Sequence, residues 1–145
     1  MSLRQMTSLA AVLLVLPVIS RGGDAKTDKE KLQGTWKLVS LEADGEQGPA
    51  EIVAKLKLVF KNDTLTFTPG EPGFTNYTFR VDPTTAPPSF DMTHADGTNK
   101  DKTMKGLYSL EGDSLKICFG KANERPKEMT SKSGQMMYVL KRGKP

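Results

Sequence analysis

The stretch Leu56-Lys-Leu-Val-Phe-Lys-Asn-Asp-Thr-Leu-Thr-Phe67 decides the fold class. Leu56, Leu58 and Phe60 alternate with Lys57 and Lys61, and Leu65 and Phe67 alternate with Thr64, Thr66 and Thr68. Period-two alternation on both sides of the turn residues Asn62-Asp63 is the pattern of an antiparallel hairpin with one buried face.

The same grammar extends outward in both directions. Upstream, Thr35–Ala43 reads as a strand whose apolar phase slips at Leu38-Val39, which predicts a bulge there. Pro49–Ala54 is the one short helix. Downstream, Pro69–Gly73 reads as a loop, followed by strands around Tyr77/Phe79/Val81 and Phe90/Met92/His94. Further strands lie around Met104/Gly106/Tyr108/Leu110 and Leu115/Ile117/Phe119, with a last one at 135–142. Residues 120–134 read as irregular and polar. Short strands separated by turn chemistry, with no βαβ signal, predict an all-β protein. The expected architecture is a small antiparallel up-and-down barrel of about eight strands with one short helix, because closure removes the sheet edges.

The apolar content is concentrated at the N-terminus, where Leu9–Ile19 is almost uninterrupted. Eleven residues are too few for a membrane span, which needs about 20. With Arg4 ahead and small residues behind, residues 1–20 read as a secretory signal peptide, with cleavage after Ser20 or after Ala25. The expected location is therefore outside the cytoplasm: periplasmic, envelope-associated or secreted. Residues 21–31 read as a solvated polar leader, and 32–142 as a single domain without an integral membrane segment.

The chain has 145 residues, 21 Lys+Arg against 17 Asp+Glu, one Cys and one His. A lone Cys118 forms no internal disulfide and reads as a small packed residue. One cysteine and one histidine argue against a zinc site, and the acidic residues around Asp91–Asp101 do not match a calcium loop. The basic residues are interleaved with Thr, Ser and Asp, which argues against nucleic acid as a partner. No Gly-x-Ser-x-Gly elbow accompanies His94, so no catalytic constellation emerges and no cofactor is implied.

Gly34-Thr35-Trp36 resembles the Gly-x-Trp signature that opens lipocalins and their relatives. The resemblance implies that Trp36 plugs one end of the barrel, with Lys141 or Arg142 packed over it as a cation–π partner. The central lipocalin motif and the long helix before the last strand are absent. Leu32–Leu41, Phe67–Gly73 and Gly112–Phe119 together resemble an uncharacterised exported domain family abundant in planctomycete bacteria.

Three polar side chains are assigned to the inner face by alternation: Tyr77, His94 and Tyr108. They are the candidate ligand-binding residues, with Asp96 placed to orient the His94 ring. Tyr138 shares a strand face with Met136 and Leu140, so its role depends on strand order. The expected function is a non-catalytic binding module for a small apolar or amphipathic ligand. The alternative is a protein-interaction or structural module of the cell envelope, with a solid core and function on its loops.

Overall fold

A computed structural model describes residues 25–68 and 76–143. The signal-peptide reading of residues 1–20, and the loop reading of 69–73, lie outside the described residues. The chain runs α1 (Ala25–Leu32), β1 (Gly34–Ala43), β2 (Glu46–Gln47), α2 (Ala50–Lys55), β3 (Lys57–Lys61) and β4 (Thr64–Phe67). It continues through β5 (Asn76–Asp82), β6 (Ser89–His94), β7 (Thr103–Glu111), β8 (Ser114–Phe119) and β9 (Met136–Arg142).

Each strand from β3 to β9 pairs antiparallel with the next, β1 pairs with β3, and β9 returns to pair with β1. Eight strands thus close into a barrel, and β2 is a two-residue appendage on β1. In the β3–β4 hairpin Leu58 faces Phe67 and Phe60 faces Leu65, so all four apolar side chains enter one core. Asn62 takes the left-handed backbone conformation that the tight turn requires, at φ 55°. Opposite β9, the register of β1 shifts between Leu38 and Ser40. Val39 is the extra residue of this bulge, and it is turned out to 48% exposure.

One end of the barrel is closed by chemistry at the start of β1. Trp36 is fully buried and donates from Nε1 to the carbonyl of Leu32 at 2.8 Å. Its register partner across β9 is Arg142, whose guanidinium carbon stands 4.3 Å from the Trp36 ring centroid. Arg142 also donates to the carbonyls of Gln33 (3.0 Å) and Lys31 (2.6 Å), and its Nε lies 3.3 Å from Asp113. Gly34 joins α1 to β1 at φ 112°, a conformation that favours glycine.

One segment differs from the sequence expectation, and a second, irregular as expected, takes on a packing role that its sequence does not signal. The segment read as a solvated leader is helical from Ala25 and folds onto the barrel as α1. Its side chains are almost all polar, so no amphipathic pattern marks it. Leu32 alone is fully buried, while Asp28 bonds Tyr108 and Lys29 pairs with Asp63 of the β3–β4 turn. Residues 120–134 form a strap along the outside of β7 and β8. Under it lie Leu107 and Cys118, paired across those strands and buried although their positions point away from the barrel interior.

Arg125 fastens the strap, donating to Gly106 O at 2.8 Å. The same Nη1 forms an ion pair with Asp91 Oδ1 at 2.8 Å, although neither of its N–H bonds lines up on that oxygen. The carboxylate therefore feels the charge without an aligned hydrogen bond. Gly106 is needed where it stands, since a Cβ there would lie 2.5 Å from Cys118 O.

Arg142→Lys keeps the charge but loses the planar fork that serves two carbonyls and the ring. It should lower unfolding free energy by about 1–2 kcal/mol, read from urea midpoints. Arg125→Ala should loosen the strap and raise the labelling rate of Cys118 by a thiol reagent about tenfold or more, with little change in global stability.

Candidate functional site

The barrel has a filled middle. Phe79 stacks on Phe90 at 5.9 Å, Phe60 meets both edge-on at 5.0 and 6.3 Å, and Phe119 meets Phe90 at 6.1 Å. All four rings are buried. Polar groups therefore gather at the two ends rather than along the axis.

At the closed end, Tyr108 donates from its hydroxyl to Asp28 Oδ2 at 2.5 Å. Burial, and then the Asp28 carboxylate, push its ionisation above the usual phenol range. Tyr108 is thus a buried tether for α1. The structure separates its role from that of Tyr77 and His94, with which the sequence grouped it. An open cleft of about 850 Å³ lies beside this tether, between α1, the Pro83–Pro88 loop and β7.

The opposite end is the mouth. Tyr77 and His94 are register partners on β5 and β6, and their rings lie 4.7 Å apart and tilted. Phe67 sits 5.3 Å from Tyr77 and 6.2 Å from Tyr138, and Tyr138 lies 6.0 Å from Phe119. These aromatic side chains form a chain of edge contacts from β6 through β5 and β4 to β9.

His94 Nδ1 is buried and has no hydrogen-bond partner among the described residues. Asp96 does not orient the ring. Its carboxylate instead accepts from the backbone N–H and the side-chain amide of Asn76, both at 3.2 Å. The loop geometry after His94 explains this: the His94 carbonyl accepts from Asp101 N–H, and Ala95 N–H bonds Asn76 O, which aims Asp96 at the start of β5.

Tyr138 and Phe67 belong to the mouth but were not among the candidates. Leu41 of β1 and Ile117 of β8 flank Tyr138 in register, so its place follows from barrel closure. The Tyr138 hydroxyl donates to Met136 Sδ at 2.9 Å. Burial, and secondarily Tyr77, push its pKa up to about 12.

Other chemistry is sparse. Among the described residues, no group of three His, Cys, Asp or Glu side chains is placed to hold a metal ion. No helix there is long and apolar enough to cross a membrane. Cys118 donates to Thr130 O at 3.3 Å beneath the strap, and burial pushes its thiol pKa up, so it stays protonated.

A closed meander of eight strands, plugged at one end by a tryptophan under an arginine and opening at the other through aromatic rings, defines a lipocalin-like barrel. The sequence profile described as "Lipocalin-like domain" matches residues 32–138, and the chain belongs to that family. No curated protein and no solved structure matches it.

The mouth has a pH signature. An unfolded tyrosine ionises near pH 10, whereas folded Tyr138 holds its proton to about 12. Stability present below pH 10 is therefore lost as pH rises toward about 12. Urea midpoints measured at neutral pH and in that alkaline window should fall less steeply for Tyr138→Phe than for the parent chain.

Proposed function

We propose that this domain is an exported, non-catalytic binding module that holds a small apolar or amphipathic ligand at the barrel mouth. The observation that carries the reading is His94 Nδ1, a buried polar atom without a partner among the described residues, beside Tyr77. An unsatisfied buried nitrogen costs about 1–3 kcal/mol, and a ligand hydrogen bond would recover it. Phe67, Tyr77 and Tyr138 supply the apolar wall against which the rest of such a ligand lies. Because rings fill the middle, the ligand seats at the mouth and does not descend to Trp36. Catalysis finds no support, since among the described residues the His94 ring has neither a carboxylate to orient it nor a nucleophile to activate.

Export rests on the apolar leader at residues 9–19, and the narrower kinship with exported planctomycete domains rests on the three sequence runs quoted above. A second reading, an interaction or structural module of the cell envelope, draws on the same filled middle. With a solid core, the loops and the cleft beside Tyr108 become the working surface.

A thermal-shift screen separates the two. The chain lacking residues 1–20 would be melted with fatty acids, quinones, retinoids and haem. A ligand at 100 times its dissociation constant adds about 2.7 kcal/mol, which moves Tm by several degrees. His94→Ala and Tyr77→Ala should each abolish that shift while Tyr108→Phe retains it. Silence from every class, or a shift that persists in both mouth variants, would favour the envelope reading.

A further inference from the structure

We propose that the outer face of β3, β1 and β9 docks this domain on an anionic lipid surface. Lys37 of β1 is the direct register partner of Lys57 on β3 and of Lys141 on β9. All three are exposed, and their neighbours Trp36, Leu58 and Leu140 point inward, so the lysines share one outer row. Side chains directly opposed on adjacent strands have Cβ atoms about 4.5–5.5 Å apart, and like charges there are destabilising. Lys116 extends the basic face on β8, opposite Val139 of β9. None of these four lysines forms an ion pair among the described residues.

Three of the carboxylates on or beside these strands are engaged elsewhere, while Glu46 of β2 and Glu51 of α2 are exposed at the margin of the face. Asp63 pairs with Lys29, Asp113 with Arg142, and Glu42 accepts from Ser131 Oγ at 2.9 Å. The fold thus holds a ladder of lysines without ion pairs among the described residues, which costs stability in isolation and is complementary to a dense negative partner.

The apolar residues choose between a bilayer and a soluble polyanion. Val39 and Ile52 are the large apolar side chains left exposed among the described residues, at 48% and 47%. Val39 is two positions beyond Lys37, turned outward by the bulge. Ile52 sits on α2, which packs against β1 and is followed by Leu56, whose carbonyl accepts from Leu38 N–H at 3.2 Å. Lysines flanking exposed apolar side chains suit a bilayer interface, where the cations meet headgroup phosphates and the apolar groups enter the acyl boundary. A soluble polyanion would leave Val39 and Ile52 in water.

Co-sedimentation with vesicles tests this without reference to the mouth ligand. Phosphatidylcholine vesicles containing about a third phosphatidylglycerol should bind the protein, pure phosphatidylcholine should not, and salt should release it. Neutralising one lysine, Lys37→Gln, should weaken binding about fivefold, and Lys37→Gln with Lys57→Gln and Lys141→Gln on the order of a hundredfold. Val39→Ser with Ile52→Ser should weaken it as well, while Lys127→Gln on the strap leaves it unchanged. Thermal melts establish that each variant is folded, and the triple lysine variant should melt no lower than the parent, because it relieves repulsion. Absence of binding to the anionic vesicles, or unchanged binding by the triple variant, overturns the proposal. So does equal binding to dextran sulfate combined with indifference to the Val39 and Ile52 changes, which identifies a soluble polyanion instead.

Discussion

Arg142 performs two tasks that lock α1 and β1 to the last strand. A helix leaves its last carbonyls without partners, and α1 ends where it must turn into β1. The carbonyls of Lys31, Leu32 and Gln33 are all taken up by the barrel: two by Arg142 and one by the Trp36 indole. The guanidinium charge faces the negative end of the helix dipole and stands over the indole ring. Because Arg142 is on β9 and Trp36 on β1, this constellation also sits on the seam where the barrel closes. Closure, capping of α1 and plugging of the base are one event.

The rest of the interior follows from a closed base. With Trp36 and Leu32 sealing one end, the ring cluster of Phe60, Phe79, Phe90 and Phe119 packs upward from it, and stacked and edge-to-face contacts fill the barrel as far as the mouth. Tyr108, Tyr77 and Tyr138 then show what position does to one side-chain type. Tyr108 finds a carboxylate on α1, Tyr138 finds a thioether, and Tyr77 lies against an imidazole with an unpartnered nitrogen. Only the last arrangement leaves hydrogen-bonding capacity unspent.

Alternation made the barrel legible, because each strand buries one face and a one-residue slip would expose it. The hairpin at Asn62-Asp63 and the bulge at Leu38-Val39 were both readable from the phase of the apolar residues. Alternation gives the face of a side chain but not its depth along the axis. Depth depends on the stagger of eight strands, so Tyr108 could be placed inward yet not assigned to the closed end. Leu107 and Cys118 mark a second limit. Their parity points outward, and only the strap, whose sequence carries no period, buries them. The helix α1 was illegible for the opposite reason: its attachment runs through Asp28, Lys29 and backbone carbonyls, which leave no hydrophobic signature.

The ends of the barrel are therefore unequal by construction. At the base, the titratable and polar groups are satisfied by neighbours that are close in space and remote in sequence, such as Asp28 with Tyr108. At the mouth, the turn after His94 commits Asp96 to Asn76 and withholds it from the imidazole. Had Asp96 reached His94, the site would be a closed polar pair of purely structural character. Its diversion leaves the Nδ1 of His94, at the end of a strand that sends Phe90 and Met92 into the core, without a partner among the described residues. The hydrogen bonding of the turn between β6 and β7 thus decides whether the imidazole at the open end is paired.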